Sequence, residues 1–153
     1  MQHWLFKSEP ETFSIDDLAA ATDKSTCWDG VRNYQVRNLM RDVMQCGDLG
    51  FFYHSSCAVP GITGIVRITQ EAYTDPTQFE RKHVHYDPGS KQDAPRWLMV
   101  DVKLQRKLKR FISLDELRQH QQQLQELLIL KRGNRLSITP VTAREWDFIL
   151  SLE

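Results

Sequence analysis

A short segment at residues 28–35, WDGVRNYQ, brings aromatic, acidic, basic and amide side chains close together in the chain. Trp28 has a large apolar surface that is costly to leave in water. It therefore either covers the hydrophobic core or forms a wall of a pocket, and both interpretations stay open. In the second case a flat base stacks on the indole, an interaction that contributes about 1–3 kcal/mol per base.

Polar residues follow Trp28 at spacings that suggest a pocket and a basic surface. Arg32 falls close to the buried stripe of the next helix, where an unpaired guanidinium is very costly. We therefore expect it to pair with Asp29 or to point into a pocket. Asn33, Arg37 and Arg41 form one row at spacings of four, displaced toward solvent. We expect Asn33 to hydrogen-bond a ligand, and Arg37 and Arg41 to contact phosphates.

Two predicted strands end in polar residues that could bind or react. Lys7 and Ser8 end the first strand, where they either meet water or contact a phosphate and a ligand edge. His54 and Ser55 follow Tyr53 at the end of an aromatic strand. A hydrolytic triad does not fit, because neighbouring strand residues point to opposite faces and no G-x-S-x-G motif is present. We expect Ser55 to lie at a pocket mouth.

A metal site at His83, His85 and Asp87 is not expected. The spacing is weak, and no further cysteine or histidine lies at a supporting position. A surface loop explains these residues, and we expect neither a metal nor another cofactor.

The chain is neutral as a whole but its charges are unevenly distributed. It has 20 Lys+Arg and 20 Asp+Glu, which excludes a purely electrostatic nucleic-acid binder. Residues 91–135 nevertheless contain eleven basic and five acidic residues. This cluster is either a solvated strand face or one side of a nucleic-acid surface. On the second interpretation, Arg135 faces a ligand and the phosphates contact Lys103, Lys107 and Lys109.

The elements that position these residues predict an α+β fold. Hydrophobic alternation predicts strands at residues 4–7, 49–54, 61–68 and from 98 onward, with a shorter strand at 135–138. Capping patterns start helices after Ser14, Ser113 and Thr142, and helical spacing of apolar residues predicts a further helix over 36–43. Residues 22–30 are predicted as a polar loop, and 73–96 as a long turn-rich connection. We expect a single domain over 1–153 with a small, mostly antiparallel sheet or barrel and flanking helices.

The location of the protein is predicted to be cytoplasmic. No window approaches the roughly 20 apolar residues needed to cross a bilayer, and the N-terminus lacks the apolar region of a secretory signal. The three cysteines form no CxxC pair, which is typical of reduced thiols.

Four long motifs follow one another along the chain: WLFKSEP at 4–10, WDGVRNYQ at 28–35, GDLGFFYHS at 47–55 and RLSITPV at 135–141. Together they resemble the EVE-domain family of the PUA-like superfamily. The resemblance implies a closed or nearly closed β-barrel with helices around it. It also implies a likeness to YTH domains, which read N6-methyladenosine in RNA through an aromatic cage. By that analogy Lys7 and Ser8 match a Lys-Ser pair at a strand end, Trp28 matches one cage wall, and Tyr53 and Trp97 are candidates for other walls.

The sequence therefore predicts a non-enzymatic module that binds DNA or RNA carrying a modified base, with modified cytosine in DNA implied by the family. Trp28 stacks on the base, and Ser8, Asn33 and Ser55 supply hydrogen bonds. Two alternatives use the same fold. One is a hydrolase of modified nucleosides, and the other is a module that binds a small ligand or a protein.

Overall fold

The computed structural model describes residues 1–153 as six strands, four α-helices and three short 3₁₀ turns. No helix has both the length and the apolar character needed to cross a membrane. The strands are β1 (His3–Ser8), β2 (Ser25–Trp28), β3 (Leu49–His54), β4 (Gly61–Thr74), β5 (Leu98–Ser113) and β6 (Ile138–Val141). The helices are α1 (Ile15–Ala20), α2 (Tyr34–Asp42), α3 (Leu114–Gln119) and α4 (Ala143–Leu150), and the 3₁₀ turns are Thr22–Lys24, Pro76–Phe79 and Leu128–Leu130.

All six strands belong to one sheet with the order β2-β5-β4-β3-β1-β6. Only β1 and β3 pair in parallel, so the predicted mostly antiparallel sheet with flanking helices is confirmed. The closure into a barrel that the resemblance implied is not found. The strands at the two ends, β2 and β6, have four residues each and do not pair with one another.

Strand alternation in β1 divides the core between the two faces of the sheet. Trp4 and Phe6 join one buried cluster, which also contains apolar residues of α1 and α2. Leu5 joins a second cluster, which contains apolar residues of α3 and α4. The face covered by α1 and α2 is the one that carries the candidate site.

The three predicted helix starts are confirmed by their caps. Ser14 accepts a hydrogen bond from the Asp17 N–H, and the Asp17 side chain accepts one from the Ser14 N–H, which completes a capping box. The side chains of Ser113 and Thr142 cap α3 and α4 by accepting hydrogen bonds from the backbone N–H groups of Glu116 and Glu145, without the reciprocal bond of a capping box.

Three predicted element boundaries are wrong. The segment 22–30 is not only a loop, because it contains β2, which pairs antiparallel with β5. The strand expected at 135–138 begins instead at Ile138 and continues through Pro140. Proline is tolerated there because β6 is an edge strand, where a missing N–H leaves no central ladder bond unmade. Strand β4 also runs to Thr74, into the expected connection.

Candidate functional site

An open cleft of about 570 Å³ lies where the ends of β1 and β2 meet the long connection after β4. Its volume falls in the range of roughly 300–1,000 Å³ that is usual for ligand sites. The strand ends contribute one wall, and the loop between β2 and α2 contributes another. The lining residues are Lys7, Ser8, Glu9, Thr12, Phe13, Thr26, Cys27, Trp28, Asp29, Gly30, Val31, His85 and Ser137.

Trp28 is the fixed aromatic wall of the cleft. Its ring packs edge-on against Phe6 at a centroid distance of 5.2 Å and against Phe52 at 5.7 Å. Both phenylalanines are completely buried, whereas Trp28 remains partly exposed and lines the cleft. The indole therefore covers the core and faces the cleft at the same time, so it needs no rearrangement to receive a flat ligand.

A buried carboxylate, Asp75, holds the loop that follows Trp28. Its Oδ2 accepts a hydrogen bond of 2.8 Å from the Gly30 N–H and one of 3.1 Å from Arg32 Nη1. Its Oδ1 accepts bonds of 2.8 Å and 2.6 Å from the backbone N–H and the hydroxyl of Thr77. Burial alone would raise the pKa of the Asp75 carboxyl, but these hydrogen bonds hold that pKa below its ordinary value. Asp75 is therefore ionised at neutral pH and holds the backbone of the cleft residue Gly30 in place.

The expected pairing of Arg32 with Asp29 is wrong, because the end of β4 brings Asp75 to the guanidinium instead. Arg32 also donates from Nε and Nη2 to the backbone oxygen of His85, at 3.0 Å and 2.7 Å. This single side chain thus ties the loop after β2 to the long connection, which contributes His85 to the cleft.

His85 packs directly against Gly30. Gly30 has a φ of +79°, and a Cβ added there would lie 2.3 Å from Cε1 of His85. The position therefore needs glycine for its backbone conformation and for the close approach of the imidazole. Nδ1 of His85 is buried without a hydrogen-bond partner.

Three charged side chains in the cleft, Lys7, Glu9 and Asp29, make no hydrogen bond or ion pair within the protein. Burial lowers the pKa of Lys7. Ser8 differs, because its hydroxyl donates to the Phe13 carbonyl oxygen at 2.5 Å. Ser8 can therefore only accept a hydrogen bond from a ligand, whereas Lys7 can donate and Asp29 can accept.

A comparison with protein families matches the EVE domain to residues 2–152 of the chain. The chain belongs to the EVE-domain family. It is 51% identical to thymocyte nuclear protein 1 of Homo sapiens over 167 residues, covering 99% of this chain and 73% of the relative.

Solved structures show the same similarity. A crystal structure of the human THYN1 protein in complex with 5-methylcytosine-containing DNA is 50% identical, with a TM-score of 0.95 and coverage of 99% of this chain and 97% of that one. A crystal structure from Pseudomonas putida is 45% identical, with a TM-score of 0.92 and coverage of 98% of each chain. The EVE fold of this chain is therefore shared between bacterial and human proteins.

The EVE domain brings four of the sequence-predicted ligand residues together in the cleft, namely Lys7, Ser8, Trp28 and Asp29. Arg32 lies behind them, bonded to the carbonyl of the cleft residue His85.

The remaining predicted ligand residues do not line the cleft. Asn33 caps α2, accepting a 3.0 Å hydrogen bond from the Val36 N–H. Tyr53 is 4% exposed and belongs to the cluster on the opposite face of the sheet, because alternation along β3 separates it from Phe52. Ser55 lies beside β1, where its backbone N–H donates to the Ser8 oxygen at 2.9 Å. Arg135 is exposed outside the lining.

Trp97 is buried away from the cleft. It is 6% exposed, and its Nε1 donates to Asp87 at 2.7 Å. Trp28 is therefore the only tryptophan that lines the cleft.

The predicted phosphate contacts fall into two groups. Arg41, Lys103 and Lys107 already pair with carboxylates, whereas Arg37 and Lys109 have no ion-pair partner. The partners in the first group are Asp42, Asp23 and Asp16, respectively.

The site roles of Asp75, His85, Thr26 and Cys27 were not predicted from the sequence. Asp75 and His85 lie in the long turn-rich connection, and the length of such a connection is itself a signal of function. Thr26 and Cys27 were missed with strand β2 itself.

Proposed function

We propose that this EVE domain is a binding module for DNA that carries 5-methylcytosine, and that the modified base leaves its stack and enters the cleft. The observation that carries this proposal is the partly exposed Trp28, fixed against two buried phenylalanines at the cleft wall. The structural match to a relative in complex with 5-methylcytosine-containing DNA supports the identity of the base.

The free polar groups fit the edge of a cytosine. Carboxylates accept hydrogen bonds from the N4 amino group of cytosine, and Asp29 offers an unpartnered carboxylate. Lys7 can donate to the O2 or N3 acceptor of the base, and Ser8 can accept from its amino group. Phe13 and Val31 supply apolar surface in the same cleft for the C5 methyl group. A base inside a duplex cannot present its whole edge in this way, so the proposal requires an extruded or single-stranded base.

The proposed role is binding rather than catalysis. A hydrolase on this cleft would use Lys7, Glu9 and Asp29 as acid and base. All three line the cleft, but none hydrogen-bonds another, so no acid–base pair is assembled. Binding needs only the arrangement described. The proposed location is the cytoplasm, on the basis of the cysteine pattern.

Backbone phosphates would bind the cations that lack an ion-pair partner, which include Arg37 and Lys109. For Arg41, Lys103 and Lys107 a phosphate would have to displace a carboxylate. Few phosphates are therefore neutralised, and we propose a shallow dependence of affinity on salt.

The experiment compares dissociation constants for one DNA sequence with and without a single 5-methylcytosine, and for the matching RNA, with wild type, Trp28→Ala and Trp28→Phe. Wild type should prefer methylated DNA, Trp28→Phe should keep most of the preference, and Trp28→Ala should lose roughly tenfold in affinity for methylated DNA, within the range for base stacking. Thermal unfolding of each variant controls for loss of the fold. A folded Trp28→Ala variant with the wild-type preference would contradict the proposal.

A further inference from the structure

Four side chains stack outward from the back of the cleft. The Arg32 Cζ lies 5.6 Å from the Trp97 ring centroid, and the Trp97 and Tyr34 rings are 4.8 Å apart at an angle of 31°. The Arg37 Cζ lies 4.8 Å from the Tyr34 ring centroid and forms the outer end. We call this group the arginine stack. Its inner end is bonded to the His85 carbonyl, so it is continuous with the cleft.

Arg37 is held in place without being neutralised. Its Nε and Nη2 donate to Asn38 Oδ1 at 3.1 Å and 2.8 Å, and its Nη1 donates to the Arg96 carbonyl at 3.1 Å. A guanidinium has five N–H donors, so two remain free. Arg41, one turn later on α2, makes two bonds to the Asp42 carboxylate instead, at 2.8 Å and 3.0 Å.

A fixed planar cation with free donors matches a phosphate group. Arginine recognises phosphate oxygens through parallel N–H donors, and stacking on an aromatic ring orders the guanidinium before binding. The ordering also explains Tyr34, a large aromatic residue that is 51% exposed on α2 and supports Arg37. Because the side chain is already ordered, less conformational entropy is lost on binding.

We propose that Arg37 binds a backbone phosphate of the same DNA strand whose base occupies the cleft, and that Tyr34 and Trp97 are positioning residues for it. This inference rests on the proposed function and adds the place at which the strand crosses the protein surface. Phosphate contacts set position without reading the base. Arg37 therefore strengthens binding to methylated and unmodified DNA by the same factor.

The test compares Arg37→Gln with Arg41→Gln, which removes the same charge from the same helix. Arg37→Gln should weaken binding to both DNAs roughly tenfold, as expected for a hydrogen bond to a charged group, and leave their ratio unchanged. It should also make the slope of log affinity against log salt shallower by about 0.9 for duplex DNA or about 0.7 for a single strand. Arg41→Gln should leave the affinity and slope close to wild type. Tyr34→Ala should reproduce part of the Arg37→Gln loss, whereas Tyr34→Phe should not.

The outcomes separate this inference from the proposed function. If wild type prefers methylated DNA but Arg37→Gln behaves like Arg41→Gln, the arginine stack has no part in binding and the inference is overturned alone. If wild type binds both DNAs equally but only Arg37→Gln and Tyr34→Ala weaken binding, the inference holds and the methyl preference fails. Absence of binding to any DNA overturns both. Unchanged melting temperatures confirm that the variants are folded.

Discussion

Replacing Asp75 with asparagine tests which carboxylate holds the cleft together. The substitution preserves size but replaces one carboxylate oxygen with an amino group. Oδ2 receives donors from Gly30 and Arg32, and Oδ1 receives donors from Thr77, so the amino group faces a donor in either orientation of the amide. Asp29→Asn is the matched control, because Asp29 lies in the same loop as Gly30 and its carboxylate has no partner within the protein.

The expected loss of unfolding free energy in Asp75→Asn follows from the burial of the Asp75–Arg32 ion pair. Asp75 is completely buried, and the Arg32 side chain is 22% exposed. Breaking a buried ion pair costs about 3–5 kcal/mol, and partial exposure of Arg32 favours the lower end. The hydrogen bond that the amino group cannot make belongs to the same network and is not added separately. We therefore expect Asp75→Asn to lower the free energy of unfolding by about 3 kcal/mol and the melting temperature by about 10 °C, at roughly 2–4 °C per kcal/mol.

The assay is urea unfolding of wild type, Asp75→Asn and Asp29→Asn, followed by DNA binding of the folded proteins. Asp29→Asn should change the unfolding free energy by less than about 0.5 kcal/mol, as for an unpaired surface group, but should weaken binding to methylated DNA. Equal destabilisation by the two variants, or greater destabilisation by Asp29→Asn, would refute the assignment of Asp75 as the partner of Arg32.

Two further predictions concern backbone strain and pH. Gly30→Ala should lower the free energy of unfolding by about 1–2 kcal/mol because of its positive φ, and should weaken DNA binding by displacing His85. Gly47→Ala is the control, because Gly47 has a φ of +92° but nothing lies within 4 Å of the added methyl group. It should show the same loss of stability with wild-type DNA binding. Equal binding by both variants would contradict this account of the cleft wall. His54 Nε2 accepts a 3.1 Å hydrogen bond from the Ile15 N–H, and burial lowers its pKa, so the folded state disfavours the protonated form. The contribution of His54 to the free energy of unfolding should therefore be complete above about pH 6.5 and should decrease as the pH drops below that value. Urea unfolding at several pH values should show a smaller decrease for His54→Gln than for wild type.

Local features of the fold could be predicted because their causes lie within a few residues. Ser14, Ser113 and Thr142 each bond the backbone three residues later, so the sequence alone contained both partners. The apolar stripe of α2 was visible for the same reason, with Val36 and Met40 both buried.

Features that depend on distant partners could not be predicted in this way. Strand β2 is short and half-exposed, and it exists through pairing with β5 more than 70 positions later, as in the Trp28–Val100 register pair. Asp75 bonds Gly30 and Arg32, which lie 45 and 43 positions earlier. The sequence offered Asp29 as the nearer acidic residue, and proximity along the chain was the wrong criterion.

The residues of the candidate site were likewise predicted only in part. Trp28, Lys7 and Ser8 lie in motifs that the family resemblance covered, and the structure places all three in one cleft. Tyr53 and Trp97 were chosen as further walls by residue type. Strand alternation buries Tyr53 on the opposite face, and the Asp87 bond holds Trp97 outside the cleft.

The most direct test of the central claim follows the indole N–H signals of the four tryptophans by NMR during titration with DNA. Trp28→Phe assigns the Trp28 signal by its disappearance. Methylated DNA should shift the Trp28 signal strongly and unmodified DNA should shift it less. The signals of Trp4 and Trp146, which are 1% and 3% exposed, should barely respond. Saturable binding of methylated DNA with an unchanged Trp28 signal would contradict the claim that the base enters this cleft.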